Sequence, residues 1–194
     1  MDELETLLDE IRACRVCADH LPQGPRPVVR MAKDATILII GQAPGTKVHE
    51  SGVPWDDASG ERLRAWMGVE RDVFYDEHRI AIMPMGFCYP GRTENGGDCP
   101  PRPECAPLWH DRLRAQLPHI KLTLLIGGYA QRYYLGSDCG KIMTETVRCG
   151  LRYGPEVLPL PHPSWRNSAW IKKNSWFESR ILEELRRRVS TFVT

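Results

Sequence analysis

Two hydrophobic rhythms run along this chain. Leu4, Leu7, Leu8 and Ile11 recur at helical spacing among acidic residues, which predicts an amphipathic helix over residues 2–13. Residues 14–32 are irregular and rich in Pro and Gly. Then Thr36-Ile37-Leu38-Ile39-Ile40 forms a short, unbroken apolar run that stops at Gly41. A run of that length with no alternation predicts a strand buried on both faces, as in a parallel sheet. The same reading gives strands at Arg79-Ile80-Ala81-Ile82-Met83, ended by Pro84, at Leu122-Thr123-Leu124-Leu125-Ile126 before Gly127-Gly128, and at Val157-Leu158-Pro159-Leu160.

Helical patterns separate the strands. A long loop is expected after Gly41, and then Ser59 can cap a helix carrying Leu63, Trp66 and Met67. Residues 84–104 read as a loop dense in Pro, Gly and Cys, and residues 105–117 as helix. A further helix carries Tyr129, Tyr133 and Tyr134, and an amphipathic helix from about Ser175 to Val189 closes the chain. Strands alternating with helices predict an α/β fold in three αβα layers, with a central, mainly parallel four-stranded sheet. In such sheets ligands bind outside the carboxyl ends of the strands. The loops after Ile40, Met83 and Leu160 leave that edge, and they are the most chemically loaded segments of the chain.

Composition narrows the picture only a little. The 194 residues are one domain's worth, with 42% hydrophobic and 26% charged residues, ordinary for a soluble globular chain. The expectation is one domain over residues 1–194. A formal net charge of +1 neither favours nor excludes nucleic acid, since a small footprint needs only a local basic patch. No apolar run is long enough to cross a bilayer, and the acidic start Met1-Asp2-Glu3-Leu4-Glu5 is unlike a secretory signal, so a cytoplasmic location away from membranes is expected. Seven cysteines in such a compartment do not suggest a disulfide framework. Four stand in two loop clusters: Cys14 and Cys17 as C-x-x-C, then Cys88 and Cys105 around a Pro-rich loop. A metal site is the stronger reading, buried thiols the plainer one. Cys99 is a spare, and Cys139 and Cys149 read as packing or surface residues.

Three segments together carry a resemblance: Gly41-Gln42-Ala43-Pro44-Gly45 with Gly52-Val53-Pro54-Trp55 and Ser59-Gly60-Glu61-Arg62-Leu63 downstream, His162-Pro163-Ser164 at the end of the last strand, and the cysteine set. The chain resembles the uracil-DNA glycosylase superfamily, most closely its iron–sulfur-containing family 4 branch. The resemblance implies DNA as partner, a monomer, and hydrolysis of a base–sugar bond after base flipping. It implies a [4Fe–4S] cluster on Cys14, Cys17, Cys88 and Cys105, with zinc as the alternative. It places Gly41, Ala43, Pro44, Gly45, Trp55, Met83 and Pro84 around the extruded base, with Trp55 as the stacking ring. The plainer reading of Trp55 is a core residue.

His162, fixed between two prolines, would stabilise negative charge on the departing base. Ser164, Trp165, Arg166 and Lys172 would contact DNA, and for Lys172 the plainer reading is a solvated face. No lysine lies in either motif, which suits a monofunctional enzyme rather than one forming a Schiff base. The chain departs from the family at three places. Gln42 stands where Glu is usual, and His49 aligns with a carboxylate, with Glu50, Asp56 and Asp57 as the nearest acids. Gln42, His49 and Glu50 are therefore the groups expected to handle water. Pro84 stands where an Asn reads the uracil edge, which leaves open another deaminated base, or a relative that binds DNA with weak or no catalysis.

Overall fold

The computed structural model describes residues 2–193; Met1 and Thr194, the two ends of the expected domain, lie outside the described residues. Four strands form the sheet: β1 (Ile37–Ile40), β2 (Ile80–Ile82), β3 (Leu122–Ile126) and β4 (Val157–Leu160). They lie in the order β2-β1-β3-β4, and every pairing is parallel, so the sheet is wholly rather than mainly parallel. Ile37 sits opposite Ile80 on one side and Leu122 on the other.

The unbroken apolar runs follow from burial of both faces. Leu38 and Ile40 pack with Ala81 and Leu125 beneath α1 (Glu3–Arg12), whose Leu4, Leu7, Leu8 and Ile11 form its inner stripe. On the opposite face Ile37 and Ile39 pack with Ile80, Leu124 and Leu158.

Between β1 and β2 the chain forms α2 (Thr46–Ser51), α3 (Ala58–Met67) and α4 (Arg71–Phe74). The expected long loop thus holds a short helix. The expected cap is also corrected: Asp57, not Ser59, opens α3, its Oδ1 accepting from the Gly60 N–H at 2.8 Å. A carboxylate at that position satisfies an otherwise orphaned amide and favours the positive end of the helix dipole. α5 (Cys105–Ala115) precedes β3, and α6 (Gly128–Leu135) and α7 (Met143–Arg148) follow it. After β4 come α8 (Ser168–Lys173), a π-helical stretch Phe177–Leu182 and α9 (Glu183–Val193), so the terminal helical run extends past Val189. Leu63, Trp66 and Met67 of α3 meet Phe177, Ile181, Leu185 and Val189 over the second face of the sheet.

The segment before β1 runs antiparallel along the free edge of β2. Arg30 N–H donates to the Ile82 carbonyl at 3.0 Å, Ile82 N–H returns the bond at 2.7 Å, and Val28 N–H donates to the Phe87 carbonyl at 2.8 Å. That contact covers an edge strand that would otherwise present unpaired groups. Among the described residues no helix is long and apolar enough to cross a membrane.

Candidate functional site

A cavity of about 210 Å³ opens at the carboxyl edge of the sheet. That is below the roughly 300–1,000 Å³ of pockets for drug-sized ligands, and it suits one flat heterocycle. The loop after β1 forms one wall through Gly41, Gln42, Ala43, Pro44 and Gly45. Pro84 follows β2, and His162 and Ser164 follow β4.

Trp55 lines the same space under backbone strain. Its φ of 58° makes it the non-glycine residue with positive φ among those described, an outlier for a bulky side chain. Two glycines make room for it. A Cβ at Gly41 would lie 2.7 Å from Trp55 Cζ2, and one at Gly60 would lie 1.8 Å from the Trp55 carbonyl oxygen. Arg64, buried in α3, donates to that carbonyl at 3.4 Å. The indole also packs on the second core cluster, so both readings of Trp55 describe part of what it touches. Its ring centroid is 5.5 Å from that of His162 at an interplanar angle of 34°.

His162 is held from its backbone. Asn167 Nδ2 donates to its carbonyl at 2.7 Å. Just upstream, the buried amide of Gln131 donates to the Leu160 carbonyl at 2.8 Å, fixing the end of β4. Burial lowers the His162 pKa below the ordinary histidine value, opposed by the fields of Asp57 and Asp98. The ring is therefore neutral at neutral pH, with one N–H to donate. Ser164 caps the short turn Trp165–Asn167 by accepting from Arg166 N–H at 3.3 Å. Its carbonyl accepts from Arg62 of α3 at 3.1 Å. Trp165 stands 72% exposed at the rim, beneath the Arg166 guanidinium, whose carbon is 5.3 Å from the ring centroid.

Several of the expected residues stand elsewhere. Met83 is fully buried in the first core cluster. His49 is buried in α2 with its ring 5.8 Å from Tyr89 and its Nδ1 without a partner among the described residues, and it does not line the cavity. Glu50 is exposed on the same helix; Arg26 donates to the backbone carbonyls of both. Lys172 is exposed on α8, away from the cavity lining. In their place the cavity gains Asp57, Ser59 and Asp98, with Val28, Val48 and Ile82.

Asp57 was within reach of sequence reasoning, being the acid two positions after Trp55 at a helix start. Asp98 was not. It comes from a small excursion in which Thr93 N–H donates to the Gly97 carbonyl at 2.7 Å and Arg166 donates to the Gly96 carbonyl at 3.3 Å. Nothing in residue spacing announces that fold-back.

The four expected cysteines also converge. Cys14, Cys17, Cys88 and Cys105 line one small apolar cavity with Phe87 and Trp109. Cys105 Sγ accepts from the Phe87 N–H at 3.5 Å. Burial pushes the Cys88 thiol up to about 11 and Cys105 to about 12. Among the described residues no three His, Cys, Asp or Glu side chains come together tightly enough to hold one metal ion. The donor set is nonetheless all sulfur, which suits soft metals.

The architecture and the site define a doubly covered, parallel α/β protein with a ligand cavity at the carboxyl edge of its sheet. Comparison with known proteins narrows that class. The chain belongs to the uracil DNA glycosylase superfamily, whose family model matches residues 29–186. Cys14 and Cys17 precede that match. A curated relative, the type-4 uracil-DNA glycosylase of Saccharolobus solfataricus, is 24% identical over 180 residues, covering 84% of this chain and 77% of its own.

Proposed function

We propose that this chain is a monofunctional DNA glycosylase that flips uracil or a related damaged base out of DNA and hydrolyses its N-glycosidic bond. The observation that carries the reading is the cavity at the carboxyl edge of the sheet, which brings Trp55, His162 and the Gly41–Gly45 loop around a space suited to one heterocycle. Superfamily membership supports the same reaction class.

The roles follow from the chemistry. An extruded base stacks on Trp55. As the C1′–N bond breaks, its electron pair passes to the base, and the neutral His162 ring donates a hydrogen bond to the charge that develops there. The Gln42 and Ala43 N–H groups, which have no partner among the described residues, add donors from the adjacent loop. Water adds to C1′, and the proton it gives up neutralises the departing base, leaving an abasic site and the free base. Asp57 is the group we assign to orient that water, because it lines the cavity where His49 and Glu50 do not. Gln42 can position water but cannot accept its proton. Ser164, Trp165 and Arg166 at the rim are assigned to the DNA backbone and to the gap left by the flipped base.

Cys14, Cys17, Cys88 and Cys105 fit a [4Fe–4S] cluster better than zinc. One zinc needs its thiolates gathered about a single point at roughly 2.3 Å, whereas a four-iron cluster gives each thiolate its own iron around a wider core. When bound, the cluster supplies a covalent tie between the N-terminal segment and the loop after β2. Iron and sulfide analysis against zinc analysis of the purified protein tests the choice.

The function itself is tested by base release from oligonucleotides carrying uracil, hypoxanthine, xanthine or no lesion, in single- and double-stranded form. Alkali-labile abasic sites at a lesion are expected. Retained DNA binding with no release from any of them would instead mark a binding-only relative.

A further inference from the structure

A second depression lies beside the base cavity. It is a groove of about 510 Å³ at the start of α5 and the first turns of α6, lined by Pro100, Pro101, Pro103, Ala106, Tyr129 and Tyr133. Met85 also lines it, directly after Pro84 of the base cavity. The partition between the two spaces is thin. A Cβ on Gly86 would lie 3.0 Å from Pro101 Cβ, and Gly86 N–H itself donates to the Gln42 carbonyl at 3.0 Å. A DNA strand with one base in the cavity therefore has its neighbouring nucleotides within reach of the groove.

The groove combines aromatic rings, apolar surface and positive charge. Its lining side chains carry no nitrogen or oxygen beyond two tyrosine hydroxyls and the guanidinium groups of Arg102 and Arg132. Tyr133 is 44% exposed, its ring meeting that of Tyr134 at 66° with centroids 5.1 Å apart. Arg132 is held where its own helix does not favour it. It reaches back along α6 to Gly128, where a Cβ would lie 3.0 Å from its Nη1, and its guanidinium carbon is 5.1 Å from the Tyr129 ring centroid. Gly128 opens α6, the positive end of the helix dipole, and a cation is disfavoured there. Among the described residues Arg132 has no hydrogen bond or ion pair to offset that, whereas Arg102 donates to Glu104 Oε1 at 2.6 Å. An anion over the first turn of α6 would satisfy both the guanidinium and the helix.

Aromatic and apolar surface beside an unpaired cation matches single-stranded DNA. Bases stack on aromatic rings whatever their sequence, and the phosphates between them meet cations. A base within a duplex is paired and stacked on both sides, so it reaches such a surface only after being unpaired. Resting on the glycosylase reading above, we infer that the groove receives the nucleotides beside the flipped base, one neighbouring base on Tyr133 and a phosphate on Arg132, and that the protein favours single-stranded over duplex DNA.

The experiment measures affinity for one lesion-free oligonucleotide, single-stranded and as a duplex, by fluorescence anisotropy. The proteins are the wild type, Tyr133→Ala, Tyr133→Phe and Arg132→Gln. Wild type should bind the single strand about tenfold more tightly than the duplex. Tyr133→Ala should lose about tenfold on the single strand and keep its duplex affinity, and Tyr133→Phe, which retains the ring, should bind as wild type does. Arg132→Gln, a change at an exposed side chain, should flatten the salt dependence of single-strand binding by about 0.7 in log–log slope. That slope is informative even if Tyr133→Ala does not fold. Equal wild-type affinity for the two DNA forms would overturn the inference. So would single-strand binding unchanged in both Tyr133→Ala and Arg132→Gln, or an equal loss on the duplex. With no lesion present, these outcomes are read apart from base release. A groove that fails leaves the glycosylase reading intact, and absence of release from every lesion defeats that reading while binding still reports on the groove.

Discussion

His110 should make the fold weaken measurably in mild acid. Its ring is fully buried in α5, stacked on Phe87 with centroids 5.6 Å apart at 11°. The Pro84 carbonyl can only accept, so Nε2 carries the proton, and Nδ1 then accepts from the Tyr134 hydroxyl at 2.6 Å. Burial raises the Tyr134 pKa, which keeps that hydroxyl protonated. Burial also lowers the His110 pKa to about 4, against 6.5 for an ordinary histidine.

The unfolded chain therefore takes up a proton near pH 6.5 that the folded chain refuses until about pH 4. Between those values the unfolded state holds more protons, so stability falls as pH falls. Going from pH 7 to pH 5, the loss from this one ring comes to about 2 kcal/mol. With a urea slope near 2 kcal/mol/M, that is a midpoint shift of about 1 M. The assay is urea unfolding at pH 7 and pH 5 for the wild type and for His110→Gln, which keeps an amide donor but does not titrate. Other titrating groups cancel in the difference. His110→Gln should lose about 2 kcal/mol less than the wild type over that interval, whatever its stability at pH 7. Parallel losses in the two proteins would refute a neutral, buried His110.

Three further outcomes are expected. His162→Ala should lower the single-turnover rate by roughly 10²–10³ while DNA binding persists. Because the neutral ring is the assigned form and burial depresses its pKa, wild-type activity should hold through the ordinary histidine range and fall only at more acid pH. An acid limb centred at or above 6.5 would contradict that assignment. Gly60→Ala should lower the melting temperature and weaken base binding more than nonspecific DNA binding, since its Cβ would collide with the Trp55 carbonyl. A variant indistinguishable from wild type in both measurements would show that this strained turn is dispensable. Cys17→Ser should lose bound iron; if the wild type binds neither iron nor zinc, the metal reading fails.

The sheet was legible because a parallel strand buried on both faces has no alternative to a continuous apolar run, and Ile37–Ile40 and Leu122–Ile126 are such runs. The α2 helix was not, because its six residues, Thr46–Ser51, are mostly polar and bury only Val48 and His49. At the site, glycine and proline punctuation located the loops, and with them Gly41–Gly45, Trp55 and His162. It did not reveal which side chains on those loops turn inward. His49 and Glu50 follow the pocket loop closely, yet the helical turn beginning at Thr46 carries one into packing against Tyr89 and the other to the surface. Asp57 took the capping role expected of Ser59 for a similar local reason. The carboxylate two residues upstream reaches the Gly60 amide, which leaves the serine in the first turn lining the cavity.

The cysteine site and the base cavity share one short stretch of chain, so one cannot move without the other. Met85 and Gly86 N–H hold the carbonyls of Gly41 and Gln42, Phe87 N–H holds Cys105 Sγ, and Tyr89 Oη meets Thr46 Oγ1 at 3.1 Å. Between them stands Cys88. On the other side, Val28 is drawn to the Phe87 carbonyl, and Arg26 to the carbonyls of His49 and Glu50 at 2.5 and 2.9 Å. Both residues belong to the segment that Cys14 and Cys17 anchor. A tie among the four cysteines would therefore help position both Val28 and Pro84, two residues that line the cavity. Met85, Phe87 and Cys105 also belong to the core cluster beneath α1, so loosening this stretch would disturb both the cavity and that core. On the proposed reading, a tie among the cysteines would act on base release through the shape of the pocket, with no need to touch the base.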